Sequence, residues 1–260
     1  MTARGAGVTA RGAGMTARKC GDTLEPGAFS LKTMLFSDAL HSPAETIAAE
    51  LRDYPEWHRG RTRYGVWMIP VDDPALLDYI ASVQDRLADM LYPMSQRQAH
   101  LTVFVCGFEC PECVMDDDFS QQQLQAQINA LHLARGTSCE LPLASPDSFA
   151  SAAFIPVGDP QGRLATWREM LARESREVRQ AAYTPHITLG LYRRVVPAEI
   201  VRQRLNEIEA PAVSLRVESL HYTTFDVRQQ FGPLESQYKL TWMHHAHRAK
   251  GRPHSQCVQP

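Results

Sequence analysis

The sequence predicts an α+β fold built as a duplicated, bilobal pair: two small antiparallel-type sheets with flanking helices around a central cleft. Three observations predict it. His100-Leu101-Thr102-Val103 recurs as His186-Ile187-Thr188-Leu189, each inside an apolar run that reads as a buried strand. From 100 to 186 is 86 residues, and Ile69-Pro70-Val71-Asp72-Asp73-Pro74 recurs at the same offset as Ile155-Pro156-Val157-Gly158-Asp159-Pro160. The order strand-helix-strand-helix-strand can be read twice along the chain.

Composition sets limits. With 260 residues, 44% hydrophobic and 22% charged, the chain can bury a sizeable core. A formal net charge of -2 argues against a broad polyanion-binding surface, so a nucleic acid would be held at a local site. No apolar run approaches the ~18 to 20 residues needed to span a bilayer, and no secretory signal is evident, so a cytoplasmic monomer that meets no membrane is expected. The six cysteines are unevenly spread and do not describe a disulfide scaffold.

The elements follow in order. Residues 1–30 are low complexity and expected to be a disordered tail. Residues 31–63 form an expected helical extension: Ser42-Pro43-Ala44-Glu45 has the form of a capping box opening a helix over 43–52. The bilobal domain is expected over 64–242, with lobes at about 64–145 and 146–242. In the first lobe, 64–71 reads as a strand. Asp73 caps a helix with Pro74 at its first position, and Leu76, Ile80, Val83, Leu87 and Met90 form one buried face. The first motif strand, a helix over 119–134 and a strand over 139–143 follow. In the second lobe Asp159 and Pro160 repeat the helix start, for a helix carrying Leu164, Trp167 and Leu171. The second motif strand, a helix over 197–209 and a strand over 213–222 come next. A strand over 238–242 precedes a tail at 243–260, expected to be disordered, whose His244, His245 and His247 read as surface residues.

Alternation along a strand puts His100 and Thr102 on one face, and likewise His186 and Thr188. Two imidazoles from related lobes suit a reaction that removes a proton on one side of a phosphorus and delivers one on the other, near neutral pH and with no metal or cofactor. The threonine hydroxyls can donate to non-bridging oxygens. By parity Tyr192 and Arg194 lie on the face of His186, where Tyr192 can stack on a base and Arg194 can clamp a phosphate. A third triplet, His221-Tyr222-Thr223, has no counterpart at the offset and reads as ordinary strand or cleft wall.

These two His-x-Thr motifs, in a duplicated frame from Tyr64 to Trp242, resemble the 2H phosphoesterase superfamily, which includes 2′-5′ RNA ligase-like proteins and cyclic nucleotide phosphodiesterases. The resemblance implies His100 and His186 as acid and base, Thr102 and Thr188 as phosphate binders, and a nucleotide or RNA end as substrate. It leaves open which histidine is which. A non-catalytic nucleotide- or RNA-end-binding module of the same fold is the alternative. A more distant one is an iron-sulfur radical-SAM enzyme, since Cys106-x3-Cys110-x2-Cys113 has the spacing of such a cluster.

Overall fold

The computed structural model describes residues 34–38, 40–93, 96–133, 138–179 and 182–242. The expected tails at 1–30 and 243–260, with Cys20, Cys257 and the histidines at 244, 245 and 247, lie outside the described residues. A short helix α1 (Pro55–His58) precedes β1 (Arg63–Pro70), α2 (Pro74–Arg86), β2 (His100–Glu109), β3 (Asp118–Phe119), α3 (Gln121–Leu133) and β4 (Cys139–Leu141). The second half contributes β5 (Asp147–Ser148), β6 (Ala152–Pro156), α4 (Arg163–Glu174), β7 (His186–Leu191), α5 (Ala198–Asn206), β8 (Leu215–Val217), β9 (Ser219–Asp226) and β10 (Glu235–Thr241). The fold is α+β.

The duplication is written into the strand register. In the first half Pro70 pairs with His100, Ile69 with Leu101 and Met68 with Thr102. In the second, Pro156 pairs with His186, Ile155 with Ile187 and Phe154 with Thr188, each partner 86 residues on. The half-sheets β10-β9-β1-β2 and β7-β6-β5 join where β2 meets β7, through Leu101 opposite Ile187. These two residues are themselves equivalents at the offset, so a pseudo-twofold axis passes between them.

The symmetry extends to an irregularity. Trp67 pairs with Phe104 while Met68 pairs with Thr102, so Val103 is an extra residue on β2. Ala153 pairs with Gly190 while Phe154 pairs with Thr188, so Leu189 is the extra residue on β7. Such bulges bend and twist a strand, and leave the extra residue outside the ladder. Both carbonyls find donors in the opposite half: Arg168 of α4 donates to the Val103 oxygen at 2.6 Å, and Gln84 of α2 donates to the Leu189 oxygen at 2.8 Å. Each motif strand thus rests on the helix of the other half. The chain beyond each helix closes the exchange, with Tyr92 N–H donating to Leu191 O and Val178 N–H to Val105 O, again equivalents at the offset.

Leu101, Val103, Ile187 and Leu189 are fully buried and join Leu76, Ile80, Val83, Leu164, Trp167 and Leu171 in one core. This burial is what the helical and strand periodicities predict. Trp242 completes it by stacking on Trp167 at 4.6 Å.

Several boundaries depart from expectation. The segment 43–52 is no helix: Ser42 Oγ bonds Pro43 O, and Thr46, Ile47 and Ala49 donate their N–H groups to Val196, Ala150 and Tyr192. Backbone acceptors in the second half satisfy donors that a helix would satisfy locally, leaving α1 as the helix of the extension. α4 starts three residues later than the Asp159-Pro160 signal suggests, after Gly162 at φ 65°, while Asp159 Oδ1 still accepts from Arg163 N–H. The single strand expected over 213–222 is two: β8 pairs with β4, and β9 enters the main sheet between β1 and β10.

Gln84→Ala should cost about 1 to 3 kcal/mol, because a buried carbonyl loses its donor across the two halves. Gln125→Ala, which removes an exposed bond to Asn129, should change stability by less than about 0.5 kcal/mol. Urea unfolding of the two variants checks the difference.

Candidate active site

His100 and His186 open β2 and β7, and the register of Leu101 on Ile187 places His100 beside Thr188 and Thr102 beside His186. The two histidines are then diagonal neighbours, about 7 to 8 Å apart at the backbone. All four side chains are half-buried while their alternating neighbours are fully buried, so they occupy the face of the sheet opposite the helices.

Each imidazole is oriented by a backbone carbonyl two residues earlier: His100 Nδ1 lies 2.7 Å from Gln98 O, and His186 Nδ1 lies 2.6 Å from Thr184 O. These partners are also 86 residues apart. A carbonyl only accepts, so Nδ1 carries the hydrogen in both rings and Nε2 presents its lone pair. Burial lowers both pKa values to about 4, against the favourable pull of the carbonyls. The charge of Arg97 lowers His100 further, and the charges of Arg179 and His100 lower His186. Both rings are therefore neutral at pH 7 in the free protein, and each senses a nearby cation.

A stability consequence follows. An exposed histidine takes up its proton near pH 6.5, whereas these two resist until about pH 4. Between those values the unfolded chain binds more protons than the folded one, so stability falls as pH drops through the window. The urea midpoint should decline from pH 6.5 to 4, and the double variant His100→Gln/His186→Gln should decline less steeply. Equal declines would contradict a pair held neutral by the fold.

Four further residues lie around the motif residues. Arg97, its pKa lowered to about 10 by burial, donates to Gln230 O at 2.7 Å and lies 4.3 Å over the Phe225 ring. Arg179 is half-buried, with its pKa also lowered by burial, and its buried Nε has no hydrogen-bond partner among the described residues. Tyr183 donates to Thr102 O at 3.0 Å beneath Arg168, whose guanidinium lies 3.7 Å from its ring. Phe149, half-buried and stacked on Phe154, meets His186 edge-on at 5.1 Å between centroids. None of the four repeats at the 86-residue offset, so the signal that exposed the histidines is silent about them.

Tyr192 and Arg194 lie elsewhere. The bulge at Leu189 reverses the alternation, so Tyr192 is 1% exposed in the core with its hydroxyl on Ser148. It has no free face for a base. Arg194 is exposed and bound to the carbonyl and carboxylate of Asp89. Of the third triplet, Tyr222 and Thr223 are buried, and His221 bonds Ser219 and Ser236.

The three-cysteine spacing is not assembled: Cys106 faces buried Gln127 in the core, while Cys113 is exposed. Among the described residues no group of three or more His, Cys, Asp or Glu is placed to hold a metal ion. No helix among them is long and apolar enough to cross a membrane. Two surface depressions, of about 590 and 270 Å³, share Arg63, Glu109, Gln121 and Leu124. They lie at the far end of β2, on the order of 30 Å along the strand from His100.

The chain is similar over 70% of its length to Escherichia coli LigT solved with 3′-AMP, at 15% identity and a TM-score of 0.45, covering 99% of that chain. LigT solved with NADP+ gives 16% identity and 0.46, with 71% and 99% covered. A conserved protein of unknown function from Agrobacterium tumefaciens gives 15% and 0.49, with 73% and 94% covered. No curated protein matches. A family model described as the 2′-5′ RNA ligase superfamily matches residues 71–228, more than half of the 260 residues and inclusive of both motifs. On that match the chain belongs to the 2′-5′ RNA ligase superfamily, a group of 2H phosphoesterases.

Proposed function

We propose that the protein is a phosphodiesterase that opens a cyclic phosphate or cleaves a 2′-5′ phosphodiester of a nucleotide or RNA end, with His100 and His186 as the acid/base pair and no metal. The observation that carries this is the symmetric presentation of two Nε2 atoms from one face, each ring fixed by its own carbonyl. One neutral histidine takes the proton of the attacking water. The other, protonated, gives its proton to the leaving oxygen, so that the pair ends with the protonation states exchanged. Thr102 and Thr188 donate to the non-bridging oxygens, and Arg179 supplies positive charge beside His186.

With both imidazoles neutral in the free site, the acid gains its proton when the phosphate anion binds. An adjacent negative charge raises a histidine's pKa. The same low basicity favours a second reading, in which the site binds nucleotide phosphates without turnover.

One experiment separates the two. The protein is incubated with a 2′,3′-cyclic nucleotide, a 2′-5′-linked dinucleotide and an ADP-ribose cyclic phosphate, with and without EDTA. Product from at least one, at the same rate in EDTA, is expected. Binding without product would support the second reading, and turnover abolished by EDTA would replace proton transfer with metal chemistry.

A further inference from the structure

We propose that the loop Cys110-Pro111-Glu112-Cys113 is a thiol–disulfide exchange site, at which a low-molecular-weight disulfide such as oxidised glutathione reversibly closes a Cys110–Cys113 bond. The site stands at the end of β2 remote from the histidines. The chain bends at Pro111 and Glu112, between two cysteines three residues apart. Cys113 is exposed and open to attack. Cys110 is half-buried but lines the depression of about 270 Å³, so it is not sealed in the core. Cys106 is fully buried on Gln127, and Cys139 lies on β4, outside the loop.

The hydrogen bonds assign different parts to the two thiols. Cys110 Sγ donates to Asp118 Oδ1 and Cys113 Sγ to Gln123 Oε1, each at 3.3 Å. Cys113 is the exposed thiol and Cys110 the half-buried one, tied to the Asp118 carboxylate, so the first attack falls to Cys113, reacting as its thiolate. That thiolate attacks one sulfur of the glutathione disulfide, forming a mixed disulfide and releasing one glutathione thiolate. Cys110, deprotonated, then attacks the Cys113 sulfur, forms the internal bond and releases the second. Two protein thiols are oxidised and one disulfide is reduced to two thiols. Asp118 loses one donor but keeps the N–H groups of Val114 and Met115 and the guanidinium of Arg61, so the loop can close without losing its anchor.

The full chain is equilibrated in glutathione buffers, quenched with acid, alkylated and peptide-mapped. Cys110 and Cys113 should lose alkylation together, in a peptide two hydrogens lighter. At a fixed ratio of oxidised to reduced glutathione, a tenfold dilution of both should raise the internal disulfide about tenfold relative to the dithiol, because closure releases two thiols per disulfide consumed. In Cys110→Ser, Cys113 should carry glutathione, and its occupancy should not respond to that dilution. The proposal is overturned if wild-type protein accumulates the adduct on Cys113 instead of the internal bond. It is equally overturned if both wild-type thiols stay alkylatable where Cys113 of Cys110→Ser is already modified.

Discussion

Replacing either His100 or His186 with alanine is expected to lower phosphodiester turnover by about 10²-fold or more, and the double variant to lose little beyond the worse single. The non-additivity follows from the chemistry, since proton removal without proton delivery leaves the step incomplete. Thr102→Ala and Thr188→Ala should cost less, about 10-fold to 10³-fold, as for loss of one donor to a charged oxygen. The pH dependence carries a sign. The limbs of kcat/KM report the free protein, where both imidazoles titrate at about 4, so kcat/KM should peak in acid. The limbs of kcat report the complex, where the bound phosphate raises both values, so kcat should peak at higher pH; each limb belongs to the coupled pair. A kcat/KM optimum above pH 8 would remove histidine as the acid, and wild-type turnover by both alanine variants would remove the mechanism.

The part of the candidate site legible in the sequence is the part that repeats. Pro70 opposite His100 and Pro156 opposite His186 show the offset of 86 holding through the backbone register. An offset constant in sequence and in pairing fixes two side chains at equivalent places on related strands, so four residues could be named without coordinates. The core was legible for a similar reason, because periodicity reports burial residue by residue.

What was not legible came from interactions between distant segments. Strand parity alone sets Tyr192 on the face of His186, but one extra residue at Leu189 turns it into the core, and nothing within the motif announces a bulge. Its support is Gln84, 105 residues away in the chain. Ser42-Pro43 carried good local helix signals, yet acceptors on Val196, Ala150 and Tyr192 took the donors instead. Arg97 and Arg179 look like ordinary arginines in sequence, since only the folded chain sets them beside His100 and His186.

Arg179 yields the second large effect, in which activity and stability are expected to move in opposite directions. Its guanidinium is half-buried, burial disfavours its charge, and its buried Nε is unpartnered among the described residues. A buried cation without a full set of acceptors costs stability, so a residue of similar volume without the charge should be neutral or stabilising, by about 1 kcal/mol or more. If that cation is kept for a phosphate, Arg179→Met should lower kcat/KM by about 10²-fold while the urea midpoint holds or rises. A third readout concerns His186, whose pKa the Arg179 charge lowers. In Arg179→Met the His186 imidazole should therefore titrate above its wild-type value, as followed by NMR of the ring protons, while His100, lowered instead by Arg97, should move less. Loss of stability together with activity would make Arg179 a structural residue. A full loss of activity with no movement of His186 would place the arginine's effect away from the histidine, and with it the phosphate it is expected to hold.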